Sequence, residues 1–518
     1  MPMQKAIKLY FSPIIFTILV VFWSLWNTFK RSIKVIAPLP PGPAGLPIVG
    51  YLPFLGTELH KKFAELAVDY GPIYKIRLGT KLCVVISSPT LVKEVVRDHD
   101  SIFANRDAPI AALVVSYGGN DIVFSPSGPD WRKMRKIFVR EMLSNTNISE
   151  SYGTRREEVN KSIKYVYDKR GIPINVGELT SAIAMNTMMS MVWGETFKGD
   201  EKLTNSGEKF RKLIAEQMVF LAKPNISDFF PLLAIFDLQR IKKKTKENFL
   251  WLERIVDSVI EKRMSMGLIN REGVGKIEQK KDLLQILLEI REHESSSASI
   301  TMTQLKAILL DIVVAGTDTT ATMSDWVMAS LMKHPEAMRR VHEELTEIVG
   351  LDNSVEESHL PKLHYLDAVI KETFRLHPAL PHLIPRCPKQ SSIIGGYTIP
   401  KGTQIFLNMW SIHRDPMIWE NPLEFQPERF LKDPGTFDYS GNNYQYLPFG
   451  SGRRICAGLP LAEKMLTYVL ASLLHSFDWN LPPGTELELS DRFGIVLKKN
   501  KSLVAIPTPR LSDLELYS

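Results

Sequence analysis

Cys456 lies in Phe449-Gly-Ser-Gly-Arg-Arg-Ile-Cys-Ala-Gly458, a loop with three glycines and two arginines. A thiolate beside Arg453 and Arg454 is stabilised by their charge. Glycines let backbone N–H groups come close to the sulfur, and such hydrogen bonds tune a metal–thiolate bond. A helix-like run from Leu461 places a helix N-terminus nearby, which further favours a negative sulfur. Phe449, seven residues ahead, supplies a bulky ring. No His–Asp arrangement surrounds the cysteine, so metal ligation fits better than nucleophilic attack. The other two cysteines, Cys83 and Cys387, are widely spaced and form no CxxC. An odd number at long spacing argues against a disulfide framework and a structural zinc site, and points to a reducing compartment.

Three further constellations could carry chemistry. Ala315-Gly-Thr-Asp-Thr-Thr320 interrupts a long apolar helical run. Glycine costs about 1 kcal/mol in a helix interior, and Asp318 is awkward in so apolar a setting. The bland account is a kinked helix whose hydroxyls bond back to the preceding turn. Glu372-x-x-Arg375 is a helix-spaced ion pair, but Glu94/Arg97, Glu208/Arg211 and Glu336/Arg339 share that spacing, and such pairs are usually solvated. Trp131-Arg-Lys-Met-Arg135 joins an indole to cations, and reads either as a solvated basic helix or as an anion-binding one.

Phe449-x-x-Gly452-x-Arg454-x-Cys456-x-Gly458 resembles the haem-binding loop of the cytochrome P-450 family, and the other motifs occur in the family's order. The resemblance spans essentially the whole chain and is closest to plant-type microsomal members. It implies that Cys456 is the axial ligand of haem b (iron protoporphyrin IX), whose thiolate favours O–O cleavage. Gly316 is expected to leave room for dioxygen, with Thr319 and Asp318 supplying protons. Glu372, Arg375 and Arg429 become a structural clamp. Trp131, Arg135, Arg386 and Arg454 become contacts of the haem propionates, with Phe449 and Gly458 completing the cofactor's surroundings. Ile110, Val114, Ile312, Ala315, Leu380, Leu383, Ile384, Ile495 and Val496 become substrate-lining. His382 is a rare polar group among them, either meeting a phenol or packing. One departure is Asp107, which stands where many members have proline.

These groups need a scaffold. Leu9–Phe29 is 21 residues without a formal charge, enough to cross a hydrocarbon core as a helix. Lys30, Arg31 and Lys34 outnumber Lys5 and Lys8, which places the bulk of the chain in the cytosol. The expected domains are an anchor (1–34), a stiff proline-rich spacer (35–50) and a catalytic body (51–518). Helical periodicity marks Asn248–Ile260, Thr303–Met332 and Glu336–Val349. Strand-like runs occur at Ile73–Leu78, Leu82–Ile86, Ile405–Leu407 and Ile495–Leu497, with connectors at Gly267–Lys281 and Glu294–Ser299. The sequons at Asn147 and Asn225 are expected to stay unused on a cytosolic body. Pro224–Phe236 reads as core or channel lining, or as a second patch dipping into the membrane.

The 518 residues are 44% hydrophobic and 23% charged, with net charge +7 spread along the chain, which is globular composition and argues against nucleic acid as a partner. The fold expected is mainly α with small β-sheets (α+β), a cytochrome P-450 fold behind a transmembrane helix. The function expected is haem-thiolate monooxygenation of a small apolar terpenoid, with a flavonoid or phenolic hydroxylase, or a reductase-independent isomerase, as alternatives. Electrons would come from NADPH through cytochrome P-450 reductase, with cytochrome b5 as a further donor, at the endoplasmic reticulum membrane. Arg132, Lys133, Lys136 and Arg140 suit docking of an acidic donor.

Overall fold

The structure, a computed structural model, describes residues 20–21, 37–196, 201–272, 281–292, 299–432 and 435–518, the side chains of 201–206 and 266–272 excepted. Leu9–Phe29 lies outside the described residues save Val20 and Val21, and no helix among the described residues is long and apolar enough to cross a membrane.

The helices that matter here are α1 (Leu59–Tyr70), α2 (Ile110–Val115), α3 (Pro129–Met142), α4 (Val176–Trp193), α5 (Ile226–Phe229), α6 (Ile241–Glu272), α7 (Met302–Lys333), α8 (Pro335–Ile348), α9 (His364–Leu376) and α10 (Leu459–Ser476). Ten short strands accompany them: β1 (Ile73–Leu78), β2 (Lys81–Ile86), β3 (Ile174–Asn175), β4 (Ser392–Ile394), β5 (Tyr397–Ile399), β6 (Gln404–Leu407), β7 (Phe477–Asn480), β8 (Asp491–Arg492), β9 (Lys498–Lys499) and β10 (Val504–Pro509). β1 pairs antiparallel with β2, which pairs in parallel with β6. β10 lies antiparallel between β3 and β7, and β4–β5 and β8–β9 are hairpins.

α7 is the axis of the molecule. Thr301 and Gln304 cap it reciprocally, satisfying two backbone donors at its start. Trp326 and the aliphatic residues around it are fully buried, and α4 packs closely along it. The chain from α7 to α10 therefore forms one continuous core with α4, which holds the loop before α10 at a set distance from the middle of α7.

Several expectations change. Ile495–Leu497 is not a strand but the turn of the β8–β9 hairpin. Its backbone is claimed from outside the hairpin: Leu497 N donates to Ala379 O (2.8 Å), and Trp326 Nε1 donates to Leu497 O (2.9 Å). α6 continues through residue 272, so the first part of the Gly267–Lys281 connector is helical, and 273–280 lie outside the described residues. The proline-rich segment is not a free spacer over 37–50: Lys75 N donates to Pro41 O, Tyr51 N to Arg77 O and Thr398 N to Pro38 O. A Cβ on Gly42 would stand 2.0 Å from Lys75 O, so this glycine permits the docking against β1. Pro224–Phe236 divides in two. Pro224, Asn225, Asp228 and Phe229 face an internal cavity, whereas Leu232, Ile235 and Phe236 are 90%, 82% and 64% exposed.

Candidate active site around Cys456

The cysteine loop is built on two left-handed glycines, Gly450 (φ 74°) and Gly452 (φ 63°). At Gly452 a Cβ would come within 2.3 Å of Val96 O and 2.9 Å of Asp100 Oδ1, so close approach as well as conformation demands glycine. Cys456 N donates to Phe449 O (2.9 Å), closing the loop on itself. Phe449 packs against Phe374 and Tyr439, with ring centroids 5.3 and 5.1 Å apart. Of the three free cysteines only Cys456 is solvent-accessible; Cys83 and Cys387 are buried, and burial pushes their thiols up to about 12 and about 11.

The electrostatics around the sulfur differ from expectation. Surrounding protein desolvates Cys456 and raises its pKa, while the N–H groups of Gly458 and Leu459 and the charge of Arg135 pull it down. The stabilising cation is thus Arg135 of α3, not Arg453 or Arg454. Arg135 Nη2 donates to Ile455 O (2.8 Å). Arg453 turns outward, 53% exposed, toward Asp100 (3.3 Å). Arg454 is held over the Trp131 ring (4.2 Å) and donates to Ala104 O, Ile122 O and Ser125 O. The Trp131 indole N–H is committed to Ile122 O (3.0 Å).

Arg386 is nearly buried, donating to Asp100 Oδ1 (3.0 Å) and Ser451 O (2.6 Å). Arg106 donates to Val123 O, Ile384 O and Pro385 O. Desolvation and mutual repulsion lower the pKa of Arg106 and of Arg454, the latter to about 9. Arg106, Arg135, Arg386 and Arg454 thus converge with Asp100 and Asp121 as the carboxylates that reach them. Crowded, partly desolvated guanidiniums beside an accessible thiol form a donor set suited to an iron porphyrin: sulfur for the metal, cations for two carboxylates. Asp100 and Arg106 were missed in the sequence. Asp100 lies over 350 residues from Arg453, and no spacing could show their contact. Arg106 directly precedes Asp107, whose own partner is Lys81 (2.5 Å).

On α7, Ala315 is exposed midway along an otherwise well-buried helix. Thr319 Oγ1 donates to Ala315 O (2.6 Å), the back-bond to the preceding turn. Asp318 is 8% exposed; Lys498 Nζ lies 2.5 Å from its Oδ1, and its Oδ2 has no partner. Lys498 was not foreseen, because in sequence it reads as part of a solvated Lys-Lys pair. At Gly316 a Cβ would stand 2.7 Å from Met188 Sδ on α4, so the glycine also admits a packing neighbour.

Burial sets Glu372 apart from the pairs of like spacing. Glu372 and Arg375 are both 0% exposed and join through two hydrogen bonds (2.7 and 2.8 Å). Arg429 Nε reaches Glu372 Oε1 at 3.1 Å, and Arg375 also donates to His413 O, Pro422 O and Glu424 O. By contrast Glu336–Arg339 is a surface pair, 73% and 56% exposed.

Leu383, Ile384 and Ile495 line a cavity of about 160 Å³ together with His382, Arg106 and Phe406. Ile110 is tied to its rim, donating from N to Asp228 Oδ1 (2.7 Å). Ile312 is part of the hydrophobic core, Val114 and Leu380 pack against the same core, and Val496 is buried at 5% exposure. His382 packs: its ring lies 4.8 Å from Phe63 and 5.8 Å from Phe493, and its Nε2 is buried without a partner.

The model of the cytochrome P-450 family matches residues 40–506. Carnosic acid synthase from Salvia fruticosa is 39% identical over 90% of this chain and 93% of its own length. Flavonoid 3'-monooxygenase from Crocosmia x crocosmiiflora is 35% identical over 96% and 97%, and geraniol 8-hydroxylase from Swertia mussotii 35% over 95% and 98%. Among solved structures, a zebra fish cytochrome P-450 with abiraterone superposes with a TM-score of 0.73 at 27% identity, over 87% of this chain and 99% of that one.

Proposed function

The chain belongs to the cytochrome P-450 family and is a monooxygenase of the plant type, and from that premise we propose that it hydroxylates a small apolar terpenoid with dioxygen and NADPH-derived electrons. The observation that carries the site is the accessible Cys456 sulfur beside the Arg106–Arg135–Arg386–Arg454 cluster. Haem, when bound, supplies the activation of dioxygen and the oxidising power for attack on a C–H bond. Cys456 would hold its iron, and the arginines its propionates. Arg135 and the N–H groups of Gly458 and Leu459 favour the anionic sulfur against the desolvation that raises its pKa. Thr319 holds a hydroxyl proton beside Ala315, and Asp318, fixed by Lys498, offers a carboxylate with one free oxygen. The Glu372–Arg375–Arg429 clamp keeps the chain before the cysteine loop from shifting.

A terpenoid substrate is supported by the aliphatic share of the cavity wall and by the names of the Salvia and Swertia relatives. A flavonoid is the second reading. Phe63, Phe406 and Phe493 stand in the same wall and could stack a flat ring, and the Crocosmia relative is a flavonoid enzyme. Anchoring by Leu9–Phe29 in the endoplasmic reticulum membrane, and electron supply by a membrane-bound NADPH-dependent reductase, complete the proposal. The exposed Leu232, Ile235 and Phe236 suit contact with the same membrane.

The test has two parts. Reduced protein with carbon monoxide gives a thiolate-type Soret band that Cys456→Ala abolishes; an unchanged band would sink the ligand assignment. With reductase and NADPH, a panel of terpenes and flavones identifies the substrate class by product. Turnover without NADPH would point to an isomerase instead.

A further inference from the structure

Asp311 and Asp121 have no part in the chemistry above, yet they sit where its cations are held together. The loop Asp121–Ser125 is a hub of acceptors. Ile122 O takes Trp131 Nε1 (3.0 Å) and Arg454 Nη1 (3.2 Å), Val123 O takes Arg106 Nε (3.2 Å), and Ser125 O takes Arg454 Nη2 (2.5 Å). The loop's own N–H groups go to carboxyls. Ile122 N donates to Asp311 Oδ2 (2.7 Å), and Phe124 N donates to Asp121 Oδ1 and Oδ2 (2.9 and 3.0 Å). Asp311 stands on α7 one turn before Ala315, and Asp121 is 1% exposed. One side of this loop therefore orients two guanidiniums and an indole, while the other is fastened by two neighbouring carboxyl groups.

We propose that Asp311 and Asp121 act together as positioning residues: they clamp the Asp121–Ser125 loop through its backbone N–H groups and so hold Arg106, Arg454 and Trp131 in place for the cofactor. A backbone donor facing a carboxyl oxygen is satisfied whether or not the carboxyl is ionised, so the clamp tolerates a proton. Burial raises both groups, Asp121 to about 6, and the charge of Asp121 pushes Asp311 up further. The charges that reach Asp121 are Arg454 and Arg106, which favour its ionised form; the charge that reaches Asp311 is Asp121 itself. The two carboxyls therefore resist ionising together, and the first negative charge is favoured on Asp121, opposite the two guanidiniums. A second ionisation sets two like charges behind one loop. The folded loop binds this proton more tightly than an open loop does, so alkaline pH favours opening.

The functional consequence rests on the haem reading, but the clamp is measured without it. Backbone hydrogen exchange over Gly118–Ser125 in the holoenzyme, corrected for intrinsic rates, is followed from pH 6 to 9. Wild-type protection should fall as pH rises toward the second ionisation, by up to about tenfold per unit, and level off above it. Asp311→Asn keeps an oxygen for Ile122 N–H and cannot ionise, so its protection should stay high and flat. Asp311→Leu removes the acceptor and should be poorly protected throughout, with the Soret to 280 nm ratio falling after dialysis. Should that variant fail to fold, Asp121→Asn must still weaken the wild-type pH dependence, because Asp311 loses the neighbouring charge that raises it. A wild-type pH profile in Asp311→Asn, or wild-type protection in Asp311→Leu, overturns the proposal. Loss of the thiolate-type Soret band in wild type would overturn the haem reading and leave the clamp standing.

Discussion

Lys498 Nζ stands 2.5 Å from Asp318 Oδ1, joining the C-terminal hairpin to the acid of the acid–alcohol pair on α7. Asp318 is 8% exposed and its second oxygen has no partner, so the lysine is its main support. Replacing Lys498 with Met should cost about 1–2 kcal/mol, allowing for the lysine's 23% exposure, because it leaves a buried carboxylate uncompensated. The same variant should release more peroxide per NADPH. Thermal unfolding and peroxide assay check both, and no change in either would mean the pair is incidental.

Thr319 presents its hydroxyl to Ala315 O at 2.6 Å, so in this state its proton is engaged within the helix. Thr319→Ala should raise peroxide release per NADPH several-fold while leaving the thiolate-type Soret band intact. Thr319→Ser, which restores a hydroxyl, should recover most of the coupling. If Thr319→Ala remains tightly coupled, the hydroxyl serves the helix alone.

The Glu372 carboxylate meets two guanidiniums with no exposure to water. Glu372→Ala strands both buried charges and should cost about 3–5 kcal/mol, with loss of haem incorporation. Glu336→Ala, which breaks an exposed pair of the same spacing, should leave the melting curve in place. Equal effects from the two substitutions would remove the distinction drawn from burial.

His377, His382 and His413 are each pushed down to about 3 by burial, from an ordinary 6.5. Between those values the unfolded chain takes up protons that the folded chain refuses. Stability is therefore full above pH 6.5 and is lost as pH falls, by up to about 1.4 kcal/mol per pH unit for each histidine. Denaturant unfolding at pH 7 and pH 5 measures the loss. His382→Phe, which fits the aromatic wall formed by Phe63 and Phe406, should reduce it. An unaltered acid slope in that variant would show that His382 does not titrate with unfolding.

Much of the site was legible in the sequence because short-range spacing carries it. The Phe449–Gly458 loop places glycine where φ must be positive, and the helical runs Thr303–Met332 and Glu336–Val349 are present with ends shifted by a residue. Ile495–Leu497 misled because an apolar triplet reads as a strand, whereas Trp326 and Ala379 take its backbone groups from elsewhere in the fold. The Met188 contact at Gly316 could not be read from the sequence, because it joins two helices over a hundred residues apart.

The sequence by itself determined the family, the reaction class and the cysteine, since these rest on residue types at fixed short separations. Only the tertiary structure decided which charges meet: Arg135 rather than Arg453 near the sulfur, Asp100 between Arg386 and Arg453, and Lys498 on Asp318. Coulombic attraction has no sequence period, and its strength depends on how much water the fold removes. Such partners, brought together across tens to hundreds of residues, become visible only once the chain has folded.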